Sequence, residues 1–437
     1  MSEWVSAEEL ASWVADARQL TMDLVADLSD EQLVGPKLAT VNPLIWEIGH
    51  LSWFQERFVL RGLYGDLPLL EHGDALYDSG AIPHDTRWHL DLPGRRETLA
   101  YLEAVRDRVV DRVLGSSPGD PVRHFATYTV LHEDTHAEAI TYTRQTLGYP
   151  APALSSAAPP GTDGDPGAGG EAGPLPGDVE VPGGAFALGA ALDQPFAYDN
   201  EKWAHRVELA PYAIARAPVT QAQLADFVED GGYRRRQLWS DRGWAWRVGA
   251  GADHPRYWRP SGDGWERRVF DRWVGVEPHR PAVNVSYWEA QAWCRWAGRR
   301  LPTEGEWEAA ASRPGGDGVG KRRYPWGDDA PTPARANLEW RAMGTVDVAA
   351  HPGGDSATGC RQLIGNVWEW TSSTFGPYPH FEPDAYRENS EPWFGTRKVL
   401  RGGAWPTRAR YVRNTYRNYF TPDRQDIWAG FRTCALG

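Results

Sequence analysis

Residues 121–148 read PVRHFATYTVLHEDTHAEAITYTRQTLG. Pro121 opens this stretch and Gly148 closes it, with neither residue type between them. Proline is preorganised for the first turn of a helix, and glycine readily takes the left-handed conformation that ends one. The pattern predicts a single long helix over 121–147. Inside it lies His132-Glu133-Asp134-Thr135-His136-Ala137-Glu138. At about 100° per residue, His132 and His136 sit one turn apart on one face, so their imidazoles can converge on one ion. Glu133 occupies the position of the general base in HExxH metalloproteases, although the context differs. Glu138 points to another side, and His124 lies about 12 Å upstream along the axis, too far to share the ion. A third ligand has to come from another helix.

Working outward, three more helices precede this one. Ser6 and Glu9 form a capping box ahead of an apolar stripe, Leu10, Trp13, Val14, Ala17, Leu20 and Leu24. Asn42-Pro43 reads as an N-cap with proline at the first helical position, followed by Trp46, His50, Trp53, Phe54 and Phe58 on one face. A third helix is expected over about 95–114, stopping at Gly115. Four amphipathic helices within residues 1–150 predict a four-helix bundle. The long polar connection over about 64–93 is expected to carry function. His50 is the candidate third ligand, because Trp46, Trp53 and Phe54 turn its face toward the bundle core. The bland alternative is a hydrogen-bonded core histidine. Three neutral histidines with open positions suit Zn(II), Fe(II) or Ni(II), and ligand softness does not choose among them.

The whole chain has 437 residues, enough for two or three domains. Its 46 basic against 59 acidic side chains give a net charge of -13, which argues against nucleic acid or an anionic membrane as main partner. No apolar window is long enough for a membrane span. The N-terminal MSEWVSAEELASW is acidic and amphipathic, unlike a secretory signal. Cys294, Cys360 and Cys434 are odd in number and widely spaced, so a reducing, cytoplasmic setting is expected. Residues 151–180 are rich in Pro, Gly, Ala and Asp without an aromatic, and read as a disordered linker. From residue 181 to 437 the texture changes to short β-like pieces (186–188, 206–209, 398–400) between turns, with helices near 220–230 and 286–297. Most of the 23 tryptophans lie here, as a domain poor in regular structure needs large side chains to fill its core.

The strings of this second part carry a resemblance. They include Gly183-Gly184-Ala185-Phe186, Pro218-Val219-Thr220, Val285-Ser286-Tyr287-Trp288-Glu289-Ala290 and Arg300-Leu301-Pro302-Thr303-Glu304-Gly305-Glu306-Trp307-Glu308. Tyr324-Pro325-Trp326-Gly327-Asp328, Gly365-Asn366-Val367-Trp368-Glu369-Trp370, Leu400-Arg401-Gly402-Gly403 and Gly430-Phe431-Arg432 follow. In that order they resemble the formylglycine-generating-enzyme fold, a C-type-lectin-like domain. Formylglycine generation itself is not expected, because the corresponding segment over 410–417 lacks the reactive cysteines. A DinB-like four-helix bundle followed by this domain, an α+β multidomain chain, resembles the ergothioneine-type sulfoxide synthases. These enzymes join a chalcogen donor to the imidazole of trimethylhistidine (hercynine) with non-haem Fe(II) and O2. The resemblance implies that His50, His132 and His136 hold iron, with O2 as co-substrate. It also implies that Tyr378 is the catalytic tyrosine, that Asn418 hydrogen-bonds hercynine, and that Tyr419 faces its trimethylammonium group. Asn337, Asn366 and Glu369 match places where some members of the fold bind Ca(II).

Where the chain departs from the pattern, the donor is at issue. Family members that use γ-glutamylcysteine carry an Asp after the Asn-aromatic pair, and here the residue is Phe420. Arg424 stands at the expected basic position, but Gln425 and Asp426 follow it. Thr135 replaces the usual Gln before the second histidine, and the loop His84-Asp85-Thr86-Arg87-Trp88 has Arg87 as its one candidate for a donor carboxylate. A phenyl ring in place of a carboxylate leaves a donor ammonium unpaired, which is unfavourable. A neutral sugar needs no such partner, so the chain resembles the selenoneine synthase branch, which takes a selenosugar. The alternatives are a sulfoxide synthase using γ-glutamylcysteine or cysteine, and a non-catalytic lectin-like module with a structural zinc. A metal-dependent thiol transferase leaves the second domain unexplained.

Overall fold

The computed structural model describes residues 5–155, 173–262, 264–315 and 320–437. Most of the expected linker therefore lies outside the described residues. The chain divides into two compact units, Met1–Leu154 and Ser155–Gly437. Among the described residues, no helix is long and apolar enough to cross a membrane.

The first unit is built on four long helices. In α1 (Ala7–Asp23) the Ser6 hydroxyl accepts from the Glu9 amide at 3.1 Å. Leu10, Val14, Ala17 and Leu20 are buried along one face. Helix α2 (Leu44–Gln55) begins differently from expectation. Pro43 is its cap, without a side-chain bond, and the Asn42 amide reaches Glu47 instead. A π-helical stretch, Glu56–Arg61, continues α2. Helices α3 (Arg95–Leu114) and α4 (Pro121–Leu147) follow. Asp120 caps α4 by accepting from Val122 N at 2.9 Å, and Gly148 ends it in the left-handed region, φ 69°. Helices α1 and α2 each pack against α3 and α4.

Ile48, Phe54, Leu102, Val105, Val130 and Ile140 are fully buried between the helices. Each such side chain contributes about 1.5–3 kcal/mol of burial free energy. One buried cation ties all four helices together. Arg18 on α1 donates to Glu133 of α4 at 2.8 and 3.1 Å, to Ser52 and Gln55 of α2, and to the Leu102 carbonyl of α3. Thr21 also donates to Glu133, at 2.8 Å.

The second unit is assembled from short strands. β1 (Asp178–Val181), β4 (Tyr212–Ala215), β13 (Cys434–Ala435) and β8 (Arg299–Arg300) form an antiparallel sheet in that order. A second sheet runs β11 (Asn418–Phe420), β10 (Lys398–Arg401), β9 (Trp368–Thr374), β12 (Ala429–Gly430), with β12 parallel to β9. A hairpin of β2 (Gly184–Leu188) with β3 (His205–Leu209) and a meander of β5 (Trp258–Ser261), β6 (Gly264–Val269) and β7 (Arg272–Gly275) complete the strands. Helices α5 (Gln221–Glu229) and α7 (Tyr287–Trp296) lie where the sequence placed them, and both start on capping boxes. Two further helices, α6 (Asp241–Gly249) and α8 (Glu304–Ser312), were not anticipated.

Trp307, Trp340, Trp368, Trp370 and Trp405 are nearly inaccessible, and they fill the core that short strands leave. The side chains considered for Ca(II) serve this core. Glu369 pairs with Arg432 at 3.0 Å and accepts from Trp307 Nε1 at 2.7 Å. Asn366 accepts from Val346 N and donates to Val346 O and Gln362, while Asn337 donates to Gly344 O and to Asn366. A calcium site needs several uncommitted oxygens, and the Glu369 carboxylate is already neutralised.

Candidate metal centre

His50 on α2 and His132 and His136 on α4 come together in the first unit. One ring nitrogen from each lies within 4.8 Å of the others. Helical phase brings His132 and His136 to the same face, and their Nε2 atoms are 3.2 Å apart. That separation suits two nitrogens sharing one ion at about 2.1 Å each. The partners of the remaining nitrogens fix two tautomers. His50 Nδ1 meets the Tyr77 carbonyl at 2.8 Å, and a carbonyl only accepts, so Nδ1 carries the proton and Nε2 keeps its lone pair. His136 Nδ1 meets Glu47 Oε1 at 2.5 Å, and the same reasoning applies. Carbonyl and carboxylate partners of this kind orient a histidine for metal binding.

Burial works against a charge on two of the rings, His50 and His132. Burial, then the neighbouring His136, pushes His50 down to about 3, and Arg87 acts in the same direction. Burial, with His136 and His50 beside it, sets His132 well below the ordinary histidine value. Burial opposes the charge on Glu47, but His136 and Asn42 outweigh it and hold that carboxyl below its usual range. Aromatic rings wall the group. Trp46 stacks on His50 at 5.0 Å and 7°, and Phe54 stacks on His132 at 3.7 Å. Gly49 is required here, because a Cβ would come within 2.4 Å of the Tyr77 ring.

Two charged side chains of this unit are committed to protein partners. Glu133 is no general base. It faces away from the histidines and neutralises Arg18, since one residue along a helix turns a side chain through about 100°. Arg87 is not held out for a ligand carboxylate. Its guanidinium lies 3.8 Å over Trp46 and donates to Asn42 Oδ1 at 2.7 Å and to the carbonyls of Ile82 and Ser79.

The remaining residues lie in the second unit. Tyr378, expected as the catalytic tyrosine, is 6% exposed. Its hydroxyl is 3.3 Å from both Glu304 and Arg401, with Arg417 over the ring at 4.1 Å. Burial pushes the phenol well above its usual range. The hydroxyl therefore lies within an ion cluster of the second unit. Asn418, Tyr419 and Phe420 form the half-buried edge strand β11. Asn418 Oδ1 accepts from the Tyr419 amide at 2.9 Å. The Tyr419 ring stacks on Phe375 at 3.9 Å, and its hydroxyl donates to the Asn389 carbonyl. Arg424 lies over Phe420 at 4.8 Å and pairs with the buried Asp426 through two bonds of 2.6 Å.

Comparison with known proteins adds the family. Residues 14–140 match the DinB superfamily, and residues 167–435 match the sulfatase-modifying factor enzyme 1-like domain. The chain is 40% identical over 433 residues to a hercynine oxygenase of Mycolicibacterium thermoresistibile, covering 97% of this chain and 94% of that protein. The chain belongs to the hercynine oxygenase family. A second family member, from Mycolicibacterium smegmatis, is 37% identical over 437 residues, covering 98% of this chain and 99% of its own. A formylglycine-generating enzyme of Streptomyces coelicolor is 33% identical over 320 residues, covering 66% of this chain and 96% of that one.

Reading this hercynine oxygenase family chain by sequence alone missed the groups that steer the histidines. Glu47, Asn42 and the Tyr77 carbonyl lie far from His136 or His50 in sequence or act through the backbone. A faint signal existed for Glu47, a carboxylate three residues before His50 on a predicted apolar face. A buried carboxylate there needs a partner.

Proposed function

We propose that this protein is a non-haem Fe(II)- and O2-dependent oxidoreductase acting on hercynine, forming a C–Se or C–S bond at the imidazole carbon between the two nitrogens. The observation that carries this reading is the trio His50, His132 and His136, with two rings anchored through Nδ1. The hercynine oxygenases named above support hercynine as the substrate. Iron, when bound, supplies the centre at which O2 is activated. The protein's part is to hold the three imidazoles in place and to keep water from the apolar side walled by Trp46, Trp53 and Phe54. Asn418 and Tyr419 are the residues assigned to hercynine. Positioning of this kind favours the new bond over simple oxidation of the donor.

The favoured donor is a selenosugar. Of three places where a zwitterionic thiol would seek charge, two are already engaged and one carries no charge. Phe420 is apolar, Arg424 is paired with Asp426, and Arg87 is bonded to Asn42 and stacked on Trp46. The test is anaerobic reconstitution with Fe(II), then mass spectrometry of products from hercynine with a 1-selenosugar, γ-glutamylcysteine or cysteine under O2. Turnover with the selenosugar supports the proposal. Turnover with γ-glutamylcysteine and none with the selenosugar overturns the donor assignment. Tightly held zinc with no O2 uptake overturns the enzymatic reading in favour of a binding module.

A further inference from the structure

Arg87 stands where two chains of contact begin, and they end on different histidines. The first is polar. Arg87 Nη1 donates to Asn42 Oδ1 at 2.7 Å, Asn42 Nδ2 donates to Glu47 Oε2 at 2.6 Å, and Glu47 Oε1 meets His136 Nδ1 at 2.5 Å. A guanidinium only donates and a carboxylate only accepts, so the residue between them must do both. An amide does so, and its orientation is thereby fixed. With Oε2 held by Asn42, the Glu47 carboxylate presents Oε1 to His136.

The second chain is aromatic. The guanidinium lies 3.8 Å over the Trp46 ring, and Trp46 is nearly parallel to His50. Trp46 Nε1 donates to the Leu76 carbonyl at 2.7 Å, and the next carbonyl along, that of Tyr77, holds His50 Nδ1. Arg87 Nη2 reaches Ile82 O at 3.3 Å, binding the same connection from its far side.

We propose that Arg87 is a positioning residue of the histidine face, acting on His136 through Asn42 and Glu47 and on His50 through Trp46. The proposal rests on the metal-binding reading of the three histidines. It assigns a sequence position that suggested donor binding to the outer shell of the metal site instead. Outer-shell partners of histidine ligands tune metal affinity by about 10–100-fold.

The test uses the full-length protein, titrated anaerobically with Co(II) and followed by its visible absorption bands. Arg87→Gln and the isosteric Asn42→Asp are each expected to weaken Co(II) binding by about 10–100-fold and to shift the bands. Arg87→Lys keeps the charge without the fork and should recover part of the affinity. Arg95→Gln is the control. Arg95 braces the carbonyls of Leu28, Val25 and Ala26 without touching the histidine network, so its loss should lower the melting midpoint and leave affinity and bands unchanged. If Arg87→Gln fails to fold, Asn42→Asp decides alone. Wild-type affinity and bands in the folded Arg87 and Asn42 variants overturn the proposal. Co(II) binding that survives His132→Ala overturns the metal reading, and this proposal with it.

Discussion

In the second unit the buried charges meet their opposites. Arg401 lies 3.1 Å from Glu304 and 3.0 Å from Glu308, Arg417 binds Glu304 at 2.9 Å, and Lys321 joins Glu308. In the first unit three imidazoles, one buried and two half-buried, turn ring nitrogens toward one another, and two of those nitrogens carry lone pairs. Both clusters lie against aromatic side chains, but only in the first do ring nitrogens face one another with no opposite charge among them. A compensated cluster holds a fold together. Converging acceptors offer a place for a cation, and the proposed function rests on one entering there.

The largest expected effect breaks the incomplete side. His136→Ala should abolish metal retention, read by metal analysis after anaerobic reconstitution, while circular dichroism stays near wild type. Breaking the compensated side should do the reverse. Arg401→Ala leaves two buried carboxylates without their central partner and should cost about 3–5 kcal/mol of stability, read by denaturant unfolding, with metal content unchanged. If Arg401→Ala stripped the metal instead, the contrast between the clusters would fail.

Smaller effects sharpen the comparison. Phe420→Asp restores a carboxylate beside Arg424 and should shift the preference between γ-glutamylcysteine and selenosugar by about tenfold toward the thiol, a change of about 1.4 kcal/mol. Competition assays with both donors read it directly. Tyr378→Phe removes one hydroxyl from the ion cluster and should cost about 1 kcal/mol of stability, with turnover retained. A loss of turnover at full stability would place Tyr378 in the catalytic machinery.

What the sequence made legible was local. Helix α4 runs from Pro121 to Leu147 as expected, because its start and stop are written in adjacent residues. His132 and His136 share a face for the same reason. The Arg18 link to Glu133 was hidden, since it joins helices that only the folded bundle brings together. Asn42 looked like a helix cap because that is a common local use of asparagine, and a tertiary partner, Arg87, took it for another use. Tyr378 was expected to be catalytic only through the family resemblance, and its contacts with Glu304, Arg401 and Arg417, from three separate segments, were hidden in the sequence. Helix α8 starts inside the string Arg300–Glu308, which carried the family resemblance, and its Thr303–Glu306 capping box was not read as a helix start.

The missing side chain at Gly49 ties two otherwise separate parts of the chain into one inherited unit. The Tyr77 ring occupies the space where a Cβ at position 49 would stand, and the Tyr77 carbonyl holds His50. A graft of the connection between α2 and α3 from a relative therefore succeeds only when the donor loop and residue 49 travel together. Exchanged alone, either half would leave the neighbouring histidine without its guide.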